Sequence, residues 1–472
     1  MPSAACSRRA FLGRAAGALG ALSLAPFAGR LWAGDRDLAP GAALTALHHP
    51  ARAKRVIFLM MSGGPSHLDL FDHKPKLIEM AGKSIPDSFV KGEQSAQLKG
   101  NFKAKLLPSV AKFSQRGQSG QWISDLLPHT ARIADDLCIV RSMHTDAINH
   151  DPAHAFLNTG STIPGRPAWG AWTWYGLGSD NADLPGFVVM ISDKGGQLQP
   201  VSSRIWHSGF LPSRFQGVVF GSGAAPVHYL APPPGVDAAR QADVIAAAAA
   251  LNRLNGGDDA EAATRTSQYQ LAERMQRSVP ELADLSGEPA SVRALYGLDQ
   301  DAGGKRTGGF ARNCLLARRL IERGVRFVQV IHRDWDHHGS IAKDIPVTAA
   351  ACDQASAALV TDLKQRGLLD DTIVVWGGEF GRTPMAQGTG RDHHIRGYTM
   401  WLAGGGFKPG TAWGGTDEFG FHAVQDRVHV HDLHATVLHQ LGIDHRRLSW
   451  FHQGRDFRLT DVHGHVIKGL LA

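Results

Sequence analysis

Two apolar segments, Val325–Ile331 and Thr372–Trp376, each run straight into a cluster of carboxylates and imidazoles. The first leads into His332-Arg333-Asp334-Trp335-Asp336-His337-His338-Gly339. The second leads into Gly377-Gly378-Glu379-Phe380-Gly381-Arg382-Thr383, and then Gly390-Arg391-Asp392-His393-His394. A helix-length stretch, Ile341–Arg366, lies between them. Strand, helix and strand in that order predict a parallel crossover, and ligands of such sheets gather beyond the carboxyl ends of the strands. Both polar clusters fall at that end.

Carboxylates and neutral imidazoles brought together from separate elements can hold a hard or borderline divalent cation. Asp336 and His338 form one Asp-x-His unit, and Asp334 with His338 is an alternative spacing. Glu379 follows a strand end, and Asp392, His393 and His394 return from the next loop. One ion or two fits this donor set, with Zn2+ first and Mn2+, Ca2+ or Mg2+ as alternatives. Two ions would suit displacement at phosphorus or sulfur, by clamping the attacking and leaving oxygens. Arg382 and Arg391 are candidates to bind an oxyanion through two parallel hydrogen bonds.

The rest of the chain is consistent with one large α/β unit. Its 472 residues are 43% hydrophobic and 20% charged, enough for a sizeable core. Arg55–Met61 reads as a continuous buried strand, ending in Ser62-Gly63-Gly64-Pro65-Ser66-His67-Leu68-Asp69. Leu137–Arg141, Phe187–Ile191 and Thr399–Leu402 are further strands. Helices are predicted over Ser124–Ala134, Val236–Leu254, Thr264–Ser278, Phe310–Arg323 and Leu433–Leu441. A helix also follows Asn149-His150-Asp151-Pro152, because proline suits a first helical turn, and Thr159-Gly160 ends it. His150 and His154 fall on it. Residues 70–120 and 192–300 read as surface insertions.

The chain opens with Ser7-Arg8-Arg9-Ala10-Phe11-Leu12 and a weakly apolar run too short to span a bilayer. This is the pattern of a twin-arginine export signal over residues 1–33, followed by a linker over 34–51. It implies the twin-arginine translocation machinery as a partner, a periplasmic or secreted destination, and no stable membrane span. The net charge of +7 falls to about +3 without Arg8, Arg9, Arg14 and Arg30. With no basic block, that balance argues against a nucleic-acid partner. Cys138, Cys314 and Cys352 are widely spaced and form neither a disulfide framework nor a thiolate metal site.

Several stretches together resemble the DUF1501 group of secreted bacterial proteins, of the alkaline phosphatase and sulfatase superfamily. They are Met61–Asp69, Ser142-Met143-His144-Thr145, Trp335–Gly339, Gly378–Pro384, Gly390–His393 and Asp432–Thr436. The resemblance implies an alkaline phosphatase-like α/β fold over residues 52–472: a central, mostly parallel sheet with helices on both faces. It implies metal ligands at Asp336, His338, Glu379 and His393 or His394. Asp69 is a weaker candidate, since Ser62 stands where a strand-end aspartate is expected, and His431 or His434 is a late imidazole. In sulfatases a Cys/Ser-x-Pro-x-Arg motif precedes the Thr-Gly helix end. Here His150 takes the formylglycine position and His154 the arginine position, which excludes the ordinary sulfatase mechanism. The expected function is metal-dependent hydrolysis of phosphate or sulfate esters on a small molecule or glycan. His150 and His154 would move protons, and Arg382 or Arg391 would steady the anion. The alternative is an exported metal-containing binding or assembly protein on a degenerate hydrolase fold.

Overall fold

The computed structural model describes residues 41–91, 104–192, 199–221, 226–227, 235–254, 260–301 and 307–472. The expected export signal lies outside these residues. Among them, no helix is long and apolar enough to cross a membrane.

The core is a nine-stranded sheet. Its central strand is β1 (Arg55–Met61), whose last six residues are all buried. Its other members are β2 (Leu137–His144), β3 (Phe187–Ser192), β4 (Val218–Phe220), β5 (Phe327–His332), β6 (Thr372–Gly377), β9 (Tyr398–Ala403), β10 (Thr411–Trp413) and β11 (Val428–His429). The spatial order is β10-β2-β9-β6-β1-β5-β3-β4, with β11 also on β2. β1 pairs in parallel with both β5 and β6, so the expected crossover is parallel but has β1 between its two strands. β9 is antiparallel to both neighbours, which makes the sheet mixed.

Alternation along the strands sends side chains to two cores. Ile57, Leu59 and Met61 pack on one face with α5 (Phe310–Glu322) and α6 (Ile341–Gln365). Val56, Phe58 and Met60 pack on the other with α1 (His150–Thr159), α2 (Trp169–Leu177) and α7 (Val430–Gln440). Each aliphatic side chain so buried stabilises the fold by about 1.5–3 kcal/mol before entropy is counted. A mostly parallel sheet with helices on both faces is the alkaline phosphatase-like architecture that the resemblance implies.

Two local expectations differ. The helix predicted over Ser124–Ala134 is instead the end of a strand, Gln121–Ser124, and a 3-10 helix, Thr130–Asp136. Pro128 lies between them and pushes Leu127 away from helical torsions. The loop expected after Glu379 is a hairpin, β7 (Gly381–Gln387) and β8 (Gly390–His394). Its two-residue turn is Gly388-Thr389, with Gly388 at φ 58°, where a glycine pays no Cβ clash. The segment 235–301 carries α3 (Ala238–Leu254) and α4 (Ala260–Ala283).

Candidate metal centre

The strand order brings the loops after β1, β5 and β6 side by side, with the start of α1 above them. Gly63 has φ 123°, and a Cβ there would lie 2.6 Å from the Asp336 nitrogen. Only glycine lets the β1 loop lie against the β5 loop in this way. Asn149 stands at the N-cap position of α1 in an extended conformation without a side-chain cap, and His150 opens the helix. His154, four residues on, shares its face.

Asp336 is the focus. Its Oδ1 lies 2.9 Å from His338 Nε2, 3.2 Å from His150 Nε2 and 3.3 Å from His393 Nε2. Arg382 donates to the same oxygen at 2.6 Å. His338 Nε2 and His393 Nε2 are 2.9 Å apart. The other nitrogen of each ring faces an acceptor. His150 Nδ1 donates to Glu379 Oε1 at 2.6 Å, His393 Nδ1 donates to the Ile148 carbonyl at 2.8 Å, and His338 Nδ1 donates to Gln387 Oε1. A carbonyl or carboxylate only accepts, so the proton of each neutral ring sits on Nδ1 and the Nε2 lone pairs converge. Lone pairs facing one another beside a carboxylate repel. A cation among them removes that repulsion, and imidazoles fixed by an outer acceptor are the usual form of metal-bound histidine. The donor set therefore fits a divalent ion.

A second cluster shares His150. Glu379 Oε1 accepts from His150 Nδ1, lies 3.1 Å from His154 Nε2, and accepts from the Gly63 amide at 3.0 Å. Ser62 Oγ is 3.0 Å from the same His154 Nε2. His154 Nδ1 is buried without a hydrogen-bond partner. Serine and glutamate thus meet one nitrogen, whereas an acyl-transfer triad needs the acid on the opposite one. His150, Asp336, His338 and His393, and separately His150, His154 and Glu379, each gather ligand atoms within 4.8 Å of one another. The centre opens on the His338 side, where that side chain is 19% exposed, and Glu379 and His154 are fully buried beneath it.

The electrostatics set His150 apart from His393. Burial alone would lower the His150 pKa, but Asp336 and Glu379 on its two sides raise it to about 9, so without an ion His150 is an imidazolium that donates to both carboxylates, and a cation at Nε2 would displace that proton. Burial would raise the Glu379 carboxyl, yet His154 and His150 hold it well below the usual range. Asp336 is also held far down, against its burial, by His150, His338, His393 and Arg382. Burial brings His393 to about 4, so its Nε2 stays unprotonated near neutrality.

Other expected site residues lie elsewhere. His394 follows His393 on a strand and so points to the opposite face. It is buried against Phe421 and donates to the Phe421 carbonyl. His431 donates to the Gly160 carbonyl at 2.9 Å, and His434 to the Leu157 carbonyl at 2.8 Å. Asp69 accepts from Arg391 at 2.9 Å, Ser66 at 2.5 Å and the Val110 amide at 2.9 Å. Arg391 has its remaining donors on the carbonyls of Leu107, Thr383 and Pro108. It has none left for a substrate. Arg382 is similarly engaged with Asp336 and the carbonyls of Gly63, Gly64 and Arg391. Both guanidiniums therefore hold loops together, against the expectation that they grip an oxyanion. Gln387 and the Ile148 carbonyl were not legible as partners of the centre. The Gly388-Thr389 turn was the available signal for the hairpin that carries Gln387.

Solved structures similar to this chain include a protein of the alkaline phosphatase superfamily from Vibrio parahaemolyticus. It is 10% identical, with 84% of this chain and 68% of that one covered at a TM-score of 0.35. The PsFucS1 sulfatase from Pseudoalteromonas sp. is 12% identical over 82% and 68%, at 0.33. The phosphonate monoester hydrolase SpPMH from Silicibacter pomeroyi is 13% identical over 71% and 72%, at 0.30. Each likeness is slight. No curated protein sequence matches. The family model described as "Protein of unknown function (DUF1501)" matches residues 53–471, nearly all of the chain that follows the expected leader and linker. The chain belongs to the DUF1501 family.

Proposed function

We propose that this protein is a metal-dependent hydrolase of phosphate or sulfate esters, exported to the periplasm by the twin-arginine route. One observation carries the reading: three imidazole Nε2 atoms converge on one Asp336 oxygen while each Nδ1 meets an acceptor. His150, His338, His393 and Asp336 would hold the ion, and three nitrogens with one oxygen suit Zn2+ best. When bound, such a cation polarises an ester oxygen and acidifies water.

The chain's own groups have distinct tasks. Arg382 fixes the Asp336 carboxylate against the Gly63-Gly64 loop. Glu379 orients His150 through its Nδ1–H and lies within reach to accept that proton. Ser62 and His154 form the dry floor. Because Arg382 and Arg391 are engaged, the substrate anion relies on the cation and on the open His338 side. No cysteine stands at the His150 position, so a formylglycine route has no precursor.

That engagement also favours a second reading, an exported metal-binding protein without turnover. Metal analysis of the full chain, exported with its leader, separates the two when followed by assays on aryl phosphate and aryl sulfate esters. Stoichiometric metal with hydrolysis, both lost in Asp336→Ala, supports the hydrolase. Metal without turnover on either ester supports binding alone. A chain that takes up neither Zn2+ nor Mn2+ overturns both.

A further inference from the structure

The C-terminal turns line a half-open cavity of about 570 Å3 that shares no residue with the metal centre. It is bounded by the end of α7, the turn Ile443–Arg446 and the segment from Arg458 to Lys468. Its lining is strongly cationic. Arg446, Arg458 and Lys468 stand with the imidazoles of His445, His463 and His465. A further pair of rings, His49 and His439, lie tilted with centroids 4.2 Å apart on its wall. Asp444 is its one carboxylate, and it is already engaged: it accepts from the Arg446 amide at 2.9 Å and side chain at 3.2 Å.

Several of these donors lack a partner of opposite charge. Arg458 uses its Nε on the Asp461 carbonyl, and its terminal nitrogens make no hydrogen bond or ion pair among the described residues. Lys468 has no carboxylate partner there either. His49 Nε2 is buried with no hydrogen-bond partner among the described residues. The last-turn carbonyls of α7 do not offset this charge, because the amides of Leu441, Gly442 and Ile443 cover them. Burial brings His445 to about 4; Asp444 opposes this, and Arg458, Arg446 and His465 add to it by smaller amounts. Burial, His49 and Lys468 lower His439 in the same way. Asp444 offsets Arg446, which leaves Arg458 and Lys468 as the cationic side chains that an anion there would meet.

We infer that this cavity binds a tetrahedral oxyanion, phosphate or sulfate, either free or carried on a polymer. A guanidinium can grip two oxygens of such a group, and an ammonium adds a point charge. The site is separate from the metal centre and stands whether or not the hydrolase reading does.

Isothermal titration of the full chain tests it, with inorganic phosphate and separately with a sulfated tetrasaccharide. Saturable binding is expected to survive Asp336→Ala and to weaken at least about tenfold in Arg458→Gln. Lys468→Gln, at an exposed position, gives a second variant should Arg458→Gln fail to fold. Tighter binding of the tetrasaccharide makes the cavity an anchor for a polymer-borne sulfate; binding of phosphate alone makes it a site for the free ion. Absence of binding with both probes, or binding unchanged in a folded Lys468→Gln and Arg458→Gln, overturns the inference.

Discussion

Two buried carboxylates, Asp336 in the loop after β5 and Asp69 in the short helix His67–Leu70 after β1, sit at the same end of the sheet, and each has an arginine beside it. Asp69 is saturated by donors: Arg391, the Ser66 hydroxyl and the Val110 amide. Asp336 receives Arg382 but also faces three imidazole Nε2 atoms. The first cluster is complete as protein. The second gathers imidazole nitrogens and a carboxylate oxygen within 4.8 Å of one another, a donor set able to hold a divalent cation. The contrast shows that density of charged residues does not identify a metal site; convergence of ligand atoms does.

The strongest way to break this comparison is Asp336→Ala. It should abolish stoichiometric metal and reduce ester turnover by at least about a thousandfold, as measured by metal analysis and initial rates. Normal metal content in that variant would put the two carboxylates on the same footing. Arg391→Met should act on stability instead. It leaves Asp69 buried and unpaired, which costs about 3–5 kcal/mol in urea unfolding, while the folded fraction keeps its metal.

Smaller effects sharpen the contrast. Gln387→Leu removes the acceptor that fixes His338, and metal affinity should fall about 10–100-fold in a chelator competition. Unchanged affinity would show that the ring is held by other contacts. The smallest effect concerns buried histidines outside the centre. Burial holds His394 and His434 near 3, and each donates to a carbonyl. Their pKa values are lower folded than unfolded, so below about 6.5 the unfolded chain binds more protons. Their stabilisation is present above that pH and is lost as pH falls towards 3. Thermal unfolding should shift down between pH 6.5 and pH 4, and His434→Gln should flatten that slope. A slope that stays the same would remove His434 from the account.

Much of the fold was legible because its signals are local. β1 is a bounded apolar run, and α1 opens near Pro152 and closes at Thr159-Gly160. Asp336, His338 and Glu379 were expected to share one centre from their places just after strand ends, but Glu379 gathers with His150 and His154 instead of joining Asp336 and His338. The fate of His393 and His394 was not legible without the hairpin. Once β8 forms, the two-residue period of a strand parts neighbours, and one ring reaches Asp336 while the other meets Phe421. The roles of Arg382 and Arg391 were misread for a related reason: their acceptors are mostly backbone carbonyls, which every sequence position offers equally.

By itself the sequence determined the strand and helix segments, the family, and the set of residue types able to hold a divalent ion. Periodicity, turn chemistry and composition act over a few residues and are written directly in the chain. The tertiary structure alone decided which of many histidines face one another, which nitrogen of each is free, and which arginines are already engaged. Those outcomes depend on angles between loops hundreds of residues apart, such as Gly63 against Asp336 and Ile148 against His393, and no local rule sets them.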